Sequence, residues 1–234
     1  MGNINSKWIN LVFCIDQSGS MCGSESDIVG GFNKVIEEQK AIEDGKVTVS
    51  LYTFNSDVKE LYLGVDINDI GKFEYRPFGM TKMNDGIGHA IDNVGNWLHE
   101  KDKNGEEMPA KTLVVVMTDG QENNSTEYTL KQIQDKIKEQ TEKYSWEFMY
   151  QGVDITSTKA ADELGFKFKT YGSKEKLLNN YTMVSCAANT YRKMANVGES
   201  VEKATLAFST YLDEESKRNT ADFENTIGRK ITND

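Results

Sequence analysis

The sequence predicts an α/β fold, a mostly parallel sheet with helices on both faces. Three observations predict it. Short apolar runs alternate with segments of helical periodicity along the chain. The two most apolar runs, "WINLVFCI" and "KTLVVVMTDG", read as strands buried on both faces. Each leads straight into an acid, Asp16 after the first and Asp119 at the end of the second. With 234 residues and 38% hydrophobic content, the chain can close one large domain around a sizeable core.

The elements follow in order. After "WINLVFCI", residues Ile28, Phe32, Val35, Ile36 and Ile42 recur at spacings near 3.6 and predict a helix over 25–42. Ser24 and Asp27 stand at the spacing of a capping box, with Asp in place of the usual Glu. "KVTVSLYTFN" alternates and predicts a second strand, and "DVKELYLGV" a third. The turn between them, Asn55, Ser56 and Asp57, is so short that the pair must be an antiparallel hairpin. Residues 66–81 are irregular and hold Pro77. Met83, Ile87, Ala90, Ile91, Val94 and Leu98 then mark an amphipathic helix.

Beyond "KTLVVVMTDG", Leu130, Ile133, Ile137 and Tyr144 predict the next helix. "WEFMYQGVD" is a strand, Asp154 to Leu164 a short helix and "FKFKTY" a weak strand. A helix runs from Lys174 to about Ala195, and another from Val201 to Leu212. The last twenty or so residues are polar apart from Phe223, Ile227 and Ile231, and read as a fraying tail. The expected organisation is one domain over 6–196, followed by a C-terminal helical extension and polar tail over 197–234.

Composition excludes several functions. A net charge of −10 without a basic cluster argues against nucleic acid as a partner. Cys14, Cys22 and Cys186 are odd in number and lack metal-knuckle spacing. With His89 and His99 as the only histidines, a zinc centre is not expected. Thiols without a disulfide framework predict a reducing, cytoplasmic setting. No run is long enough to span a membrane, and "WINLVFCI" lacks the basic leader of a secretory signal. "MGNINS" fits the N-myristoylation pattern but is read as an ordinary start.

In such sheets, ligands bind beyond the carboxyl ends of the strands. The sequence places a set of small oxygen donors there. "DQSGS" supplies Asp16, Ser18 and Ser20 at alternate positions, with Gly19 allowing a tight bend between the serines. The irregular stretch supplies Thr81, and the second buried strand Asp119. Two carboxylates and three hydroxyls, without His or Cys, suit Mg²⁺, with Mn²⁺ or Ca²⁺ as substitutes, and disfavour Zn²⁺. Capping and turn roles would explain one such loop, but not three converging. Asp85 is read as a helix-start residue, His89 and His99 as surface residues, and Tyr181, Tyr191 and Tyr211 as core or helix-face residues.

These residues resemble the von Willebrand factor type A domain. That family's metal-ion-dependent adhesion site has Asp-x-Ser-x-Ser after the first strand, a Thr in a loop before a helix, and an Asp at an Asp-Gly strand end. The corresponding positions are Asp16, Ser18, Ser20, Thr81 and Asp119, and the likeness runs over about residues 8–170. "WEFMYQGVDITSTKAADELGF" further resembles single-domain members of bacteria and phages. The resemblance implies a Rossmann-like, doubly wound, six-stranded sheet whose third strand is an antiparallel edge. It implies that Ser18, Ser20 and Thr81 contact Mg²⁺ directly, while Asp16 and Asp119 act largely through water.

The function expected is a Mg²⁺-dependent protein-interaction module, not an enzyme, whose metal takes a Glu or Asp carboxylate of a partner protein. The alternative is a metal-dependent phosphohydrolase using Asp16 as nucleophile. That reading lacks a second acid at position 18, which is Ser, and no phosphate-binding glycine loop occurs.

Overall fold

The computed structural model describes residues 3–119, 122–152, 157–172 and 177–231. Six strands form one sheet: β1 (Asn3–Asp16), β2 (Lys46–Phe54), β3 (Val58–Asp66), β4 (Glu107–Thr118), β5 (Glu147–Gly152) and β6 (Phe168–Tyr171). Their spatial order is β3-β2-β1-β4-β5-β6. Every neighbouring pair is parallel except β2 and β3, whose three-residue turn permits only a hairpin. The direction of winding therefore reverses between β1 and β4, which lie side by side at the centre.

Helices cover both faces. On one lie α1 (Glu25–Lys40), α5 (Leu177–Asn196) and α6 (Val201–Ile231); on the other lie α2 (Met83–Lys103), α3 (Leu130–Tyr144) and α4 (Ser157–Glu163). Alternate residues of β1 serve the two layers. Ile9, Leu11, Phe13 and Ile15 pack toward α1 and α5, and Val12 and Cys14 toward α2. Side chains cover both faces of the central strands, which is why β1 and β4 read as apolar runs, that of β1 interrupted only by the buried Asn10. Cys14 is fully buried, and burial pushes its thiol far above the ordinary range.

Three local expectations are revised. β1 begins at Asn3, well before Trp8, because residues 3–5 pair with Glu107–Pro109 of β4 across a register shift. Ser24 makes no side-chain cap to α1; its hydroxyl is buried without a hydrogen-bond partner, so the capping box with Asp27 does not form. The helix expected over Asp154 to Leu164 is described from Ser157 as α4, and Asp154 and Lys174 both lie outside the described residues.

The third revision is the tail. Among the described residues it is helical, α6 running unbroken to Ile231. Ala204, Phe208 and Leu212 bury one stripe of the helix in the core. Ser216 and Asn219 continue that stripe with polar atoms, and these meet the open edge of β6. Ser216 Oγ accepts from the Lys169 amide at 2.6 Å and donates to the Lys169 carbonyl at 2.7 Å. Asn219 Oδ1 accepts from the Tyr171 amide at 2.6 Å. Phe223 then packs on Tyr171, with ring centroids 5.5 Å apart. Side chains of a helix thus satisfy an edge that would otherwise be open to another strand.

Candidate metal centre at the strand ends

Asp16 is the last residue of β1, and Asp119 follows the last residue of β4. The register pairs Ile15 with Met117, so the two acids leave adjacent strands at the same end of the sheet. This is the point where the winding reverses, and parallel sheets open a crevice there. Asp16 is completely buried and Asp119 is 4% exposed.

The loop after β1 folds back on its own carboxylate. Asp16 Oδ1 accepts from the Ser18 amide at 2.7 Å, and Ser18 Oγ lies 3.0 Å from Ser20 Oγ. Asp16 Oδ2 accepts from Thr118 Oγ1 at 2.6 Å, a bond that ties β1 to β4. Ser18 is buried, whereas Ser20 is exposed at the mouth. Beneath the loop, Tyr75 donates its phenol proton to the Asp16 carbonyl at 2.5 Å.

Thr81 reaches the same place on the irregular segment before α2 and is buried. Two backbone bonds join the two loops, Phe78 N to Gln17 O at 2.9 Å and Gly19 N to Gly79 O at 3.1 Å, and a third, Gln17 N to Phe54 O at 2.7 Å, ties the first loop to the end of β2. Gly79 has a left-handed φ of 79°, and a Cβ there would meet Ser56 Oγ at 2.5 Å. The left-handed backbone at this position favours glycine.

Electrostatics fit a cation. Burial pushes the Asp16 carboxyl up to about 6 from its ordinary 3.8. Hydrogen bonds from Thr118 and Ser18 pull it back, and the neighbouring Asp119 carboxylate adds to the rise. Two buried acids held so close carry an electrostatic cost that a divalent ion would relieve. The donors are all hard oxygens, the chemistry suited to Mg²⁺, Mn²⁺ or Ca²⁺.

Direct hydrogen bonds group Asp16, Ser18 and Ser20. Strand adjacency brings Asp119 beside them, and Thr81 is joined through the backbone of its loop. Three further participants carry little sequence signal. Thr118 bridges the strands. Asn123 Oδ1 accepts from the Thr81 amide at 2.9 Å. The Glu122 carboxylate accepts from the Asn84 amide at 2.8 Å. Asp85 is buried in the first turn of α2, where it accepts from the Thr126, Glu127 and Tyr128 amides. His89 is half-buried and pairs with Glu127 at 3.0 Å, while His99 is exposed. Tyr181 and Tyr191 are core residues and Tyr211 packs partly buried against them. Cys22 is exposed, with its sulfur 3.9 Å from the Pro77 carbonyl.

A family model for the von Willebrand factor type A domain matches residues 10–153. No curated protein sequence matches the chain. Among solved structures it is similar to proximal thread matrix protein 1 (PTMP1) from the mussel byssus. That match has a TM-score of 0.58 and 16% identity, over 77% of this chain and 46% of that one. The D319A mutant of the PilB minor pilin from Streptococcus sanguinis matches with a TM-score of 0.57 and 12% identity, over 82% of this chain and 63% of that one. Manganese-loaded Plasmodium vivax TRAP protein gives 0.51 and 16%, over 74% and 72%. At such identities the likeness is one of fold. The chain spans less than two thirds of the length of the mussel protein and the pilin.

Proposed function

The chain belongs to the von Willebrand factor type A domain family, and from that premise we propose that it is a Mg²⁺-dependent protein-interaction module. Members of this family with metal-ion-dependent adhesion sites mediate protein interactions. In this reading Ser18, Ser20 and Thr81 hold the ion directly, and Asp16 and Asp119 hold it largely through water. When bound, the ion supplies local positive charge that a Glu or Asp side chain of the partner can complete. The observation that carries the reading is the meeting of two buried carboxylates with the Ser18–Ser20 hydroxyl pair at the reversal of the sheet. Similar folds have been solved with a metal: the mussel protein with a zinc-occupied MIDAS motif, and TRAP with manganese.

Two features support binding over catalysis. Position 18 is Ser rather than the second acid that an Asp16 nucleophile would use, which weighs against Asp16 as a nucleophile. Phe78 and Met80 are 56% and 48% exposed and flank Gly79, whose carbonyl bonds the amide between the two serines. Large apolar side chains on a pinned loop give a partner something to bury at little ordering cost. The chain is acidic overall, so the ion must reverse the sign locally for an acidic partner to dock. We place the function in a reducing, cytoplasmic setting of the bacterial or phage kind, with 6–196 as the binding domain and 197–234 as its extension. No described helix is long and apolar enough to cross a membrane.

Random peptides displayed on phage and selected with Mg²⁺ test this. Chelator should elute peptides that share an Asp or Glu, and Thr81→Ala should lose them without a change in charge. Selection of the same peptides in excess chelator would place the interface elsewhere. Equal Mg²⁺ binding in calorimetry by the wild type and an Asp16→Ala, Asp119→Ala double variant would remove the metal from the reading.

A further inference from the structure

Two loops carry the remote donors, Thr81 before α2 and Asp119 after β4. The segment three to nine residues beyond Asp119 is joined to the Thr81 loop by an unusual density of hydrogen bonds. Both backbone groups of Thr81 are engaged by it. The Thr81 amide donates to Asn123 Oδ1 at 2.9 Å, and the Thr81 carbonyl accepts from the Asn123 and Asn124 amides at 3.2 and 3.1 Å. The start of α2 is capped from the same segment, because Lys82 at its N-cap offers no side-chain cap. Glu122 Oε2 accepts from the Asn84 amide at 2.8 Å, and Ser125 Oγ accepts from the Asp85 amide at 3.0 Å. Ser125 Oγ in turn donates to Glu122 Oε2 at 2.8 Å.

The capping is reciprocal. Asp85, on α2, accepts the Glu127 and Tyr128 amides on Oδ1, both at 2.9 Å, and the Thr126 amide on Oδ2 at 3.0 Å. Glu122 Oε1 completes the clasp by accepting the Asn124 and Ser125 amides at 3.0 and 2.8 Å. Each carboxylate therefore uses both oxygens as acceptors from backbone N–H groups. Both carboxylates thereby fix one loop against the other.

We propose that Asp85, Glu122 and Asn123 are positioning residues for the metal centre, holding Thr81 where its hydroxyl can serve the same ion as Asp119. The inference rests on the metal reading above and goes beyond it by making ion affinity depend on three residues that do not touch the ion. Mg²⁺ demands near-ideal octahedral geometry, so a displaced hydroxyl costs more affinity than the loss of a weak ligand suggests.

Three variants test it. Glu122→Gln and Asp85→Asn preserve shape but must turn an NH₂ toward an N–H. Asn123→Ala removes an exposed side chain, and with it the acceptor for the Thr81 amide, at small risk to folding. Mg²⁺ affinity is measured by calorimetry at 10 °C, where circular dichroism verifies that each protein is folded. Exchange of the Thr81 amide is followed beside it. Each folded variant should bind Mg²⁺ at least tenfold more weakly than wild type, with faster Thr81 exchange and unchanged protection in β1. Phe208→Leu, in the buried stripe of α6 on the opposite face of the sheet, should lower the melting temperature yet leave affinity intact. Wild-type affinity in the folded variants would overturn the inference and leave the metal reading standing. Absence of Mg²⁺ binding by the wild type would overturn both.

Discussion

Replacing Asp16 with Asn measures what the metal centre costs its own fold. The Asp16 carboxyl is wholly buried and is pushed up from 3.8 to about 6, mainly by burial and further by Asp119. Between about pH 4 and pH 6 the native state holds a proton that the unfolded chain has released. Stability from this group is thus full below about pH 4, falls as pH rises through about 6, and stays low above it. Each pH unit is worth about 1.4 kcal/mol, so the ionised carboxylate costs the metal-free protein about 3 kcal/mol at neutral pH. Asn has the same shape and can keep both hydrogen bonds. Its oxygen accepts from the Ser18 amide, and its NH₂ donates to the Thr118 hydroxyl, which can rotate to accept.

Metal-free Asp16→Asn should therefore be more stable than wild type at pH 8, by about 1–3 kcal/mol. At roughly 2–4 °C per kcal/mol for a chain of this size, the melting temperature should rise by roughly 2–12 °C. The assay is thermal unfolding by circular dichroism in chelator at pH 8 and pH 5, then at pH 8 with Mg²⁺. The gap should shrink at pH 5, where the wild-type carboxyl is largely protonated. Mg²⁺ should raise the melting temperature of wild type and not of the variant. A variant that melts below wild type in chelator at pH 8 would refute the reasoning, since it would make the charge part of the scaffold. A gap that is the same at both pH values would place the titration elsewhere.

Other outcomes are expected. Mg²⁺ affinity should fall about tenfold per unit as pH drops below about 6, because a proton must leave Asp16 before the ion binds; calorimetry at pH 5, 6 and 7.5 reads this directly. Gly31→Ala in α1 would set a Cβ 1.9 Å from the Tyr181 ring on α5, so it should destabilise by about 1–3 kcal/mol in denaturant unfolding. A Ser216→Ala, Asn219→Ala double variant should cost about 1–3 kcal/mol and speed amide exchange at Lys169 and Tyr171, whose N–H groups lose their acceptors. Unchanged exchange there would mean that Phe223 alone holds α6 to the edge.

The sheet was legible because its central strands are buried on both faces, so β1 and β4 each carry a largely apolar run. The hairpin was legible because three residues cannot connect parallel strands. α6 was misread past Leu212 for a physical reason: Ser216 and Asn219 continue the buried stripe, but they face backbone groups of β6 rather than a dry core. A hydrophobic periodicity cannot register a stripe that turns polar where it meets a strand edge. Ser24 misled in the opposite sense. It has the residue type and spacing of a cap, yet its hydroxyl is buried without a partner.

The candidate site divides along the same line. Asp16, Ser18, Ser20, Thr81 and Asp119 could be proposed from sequence because their side chains define a chemical type and each stands where a strand or loop reaches the same end of the sheet. The clasp of Asp85, Glu122 and Asn123 was hidden, because nearly all its bonds end on backbone N–H groups, which every residue but proline provides. Asp85 could be read as a helix-start residue, but not as the anchor of a loop forty residues away. What sequence conveys best is therefore which atoms could meet an ion. What it conveys least is how firmly they are held in place, and for Mg²⁺, with its strict octahedral demand, that firmness sets whether five well-chosen oxygens make a site at all.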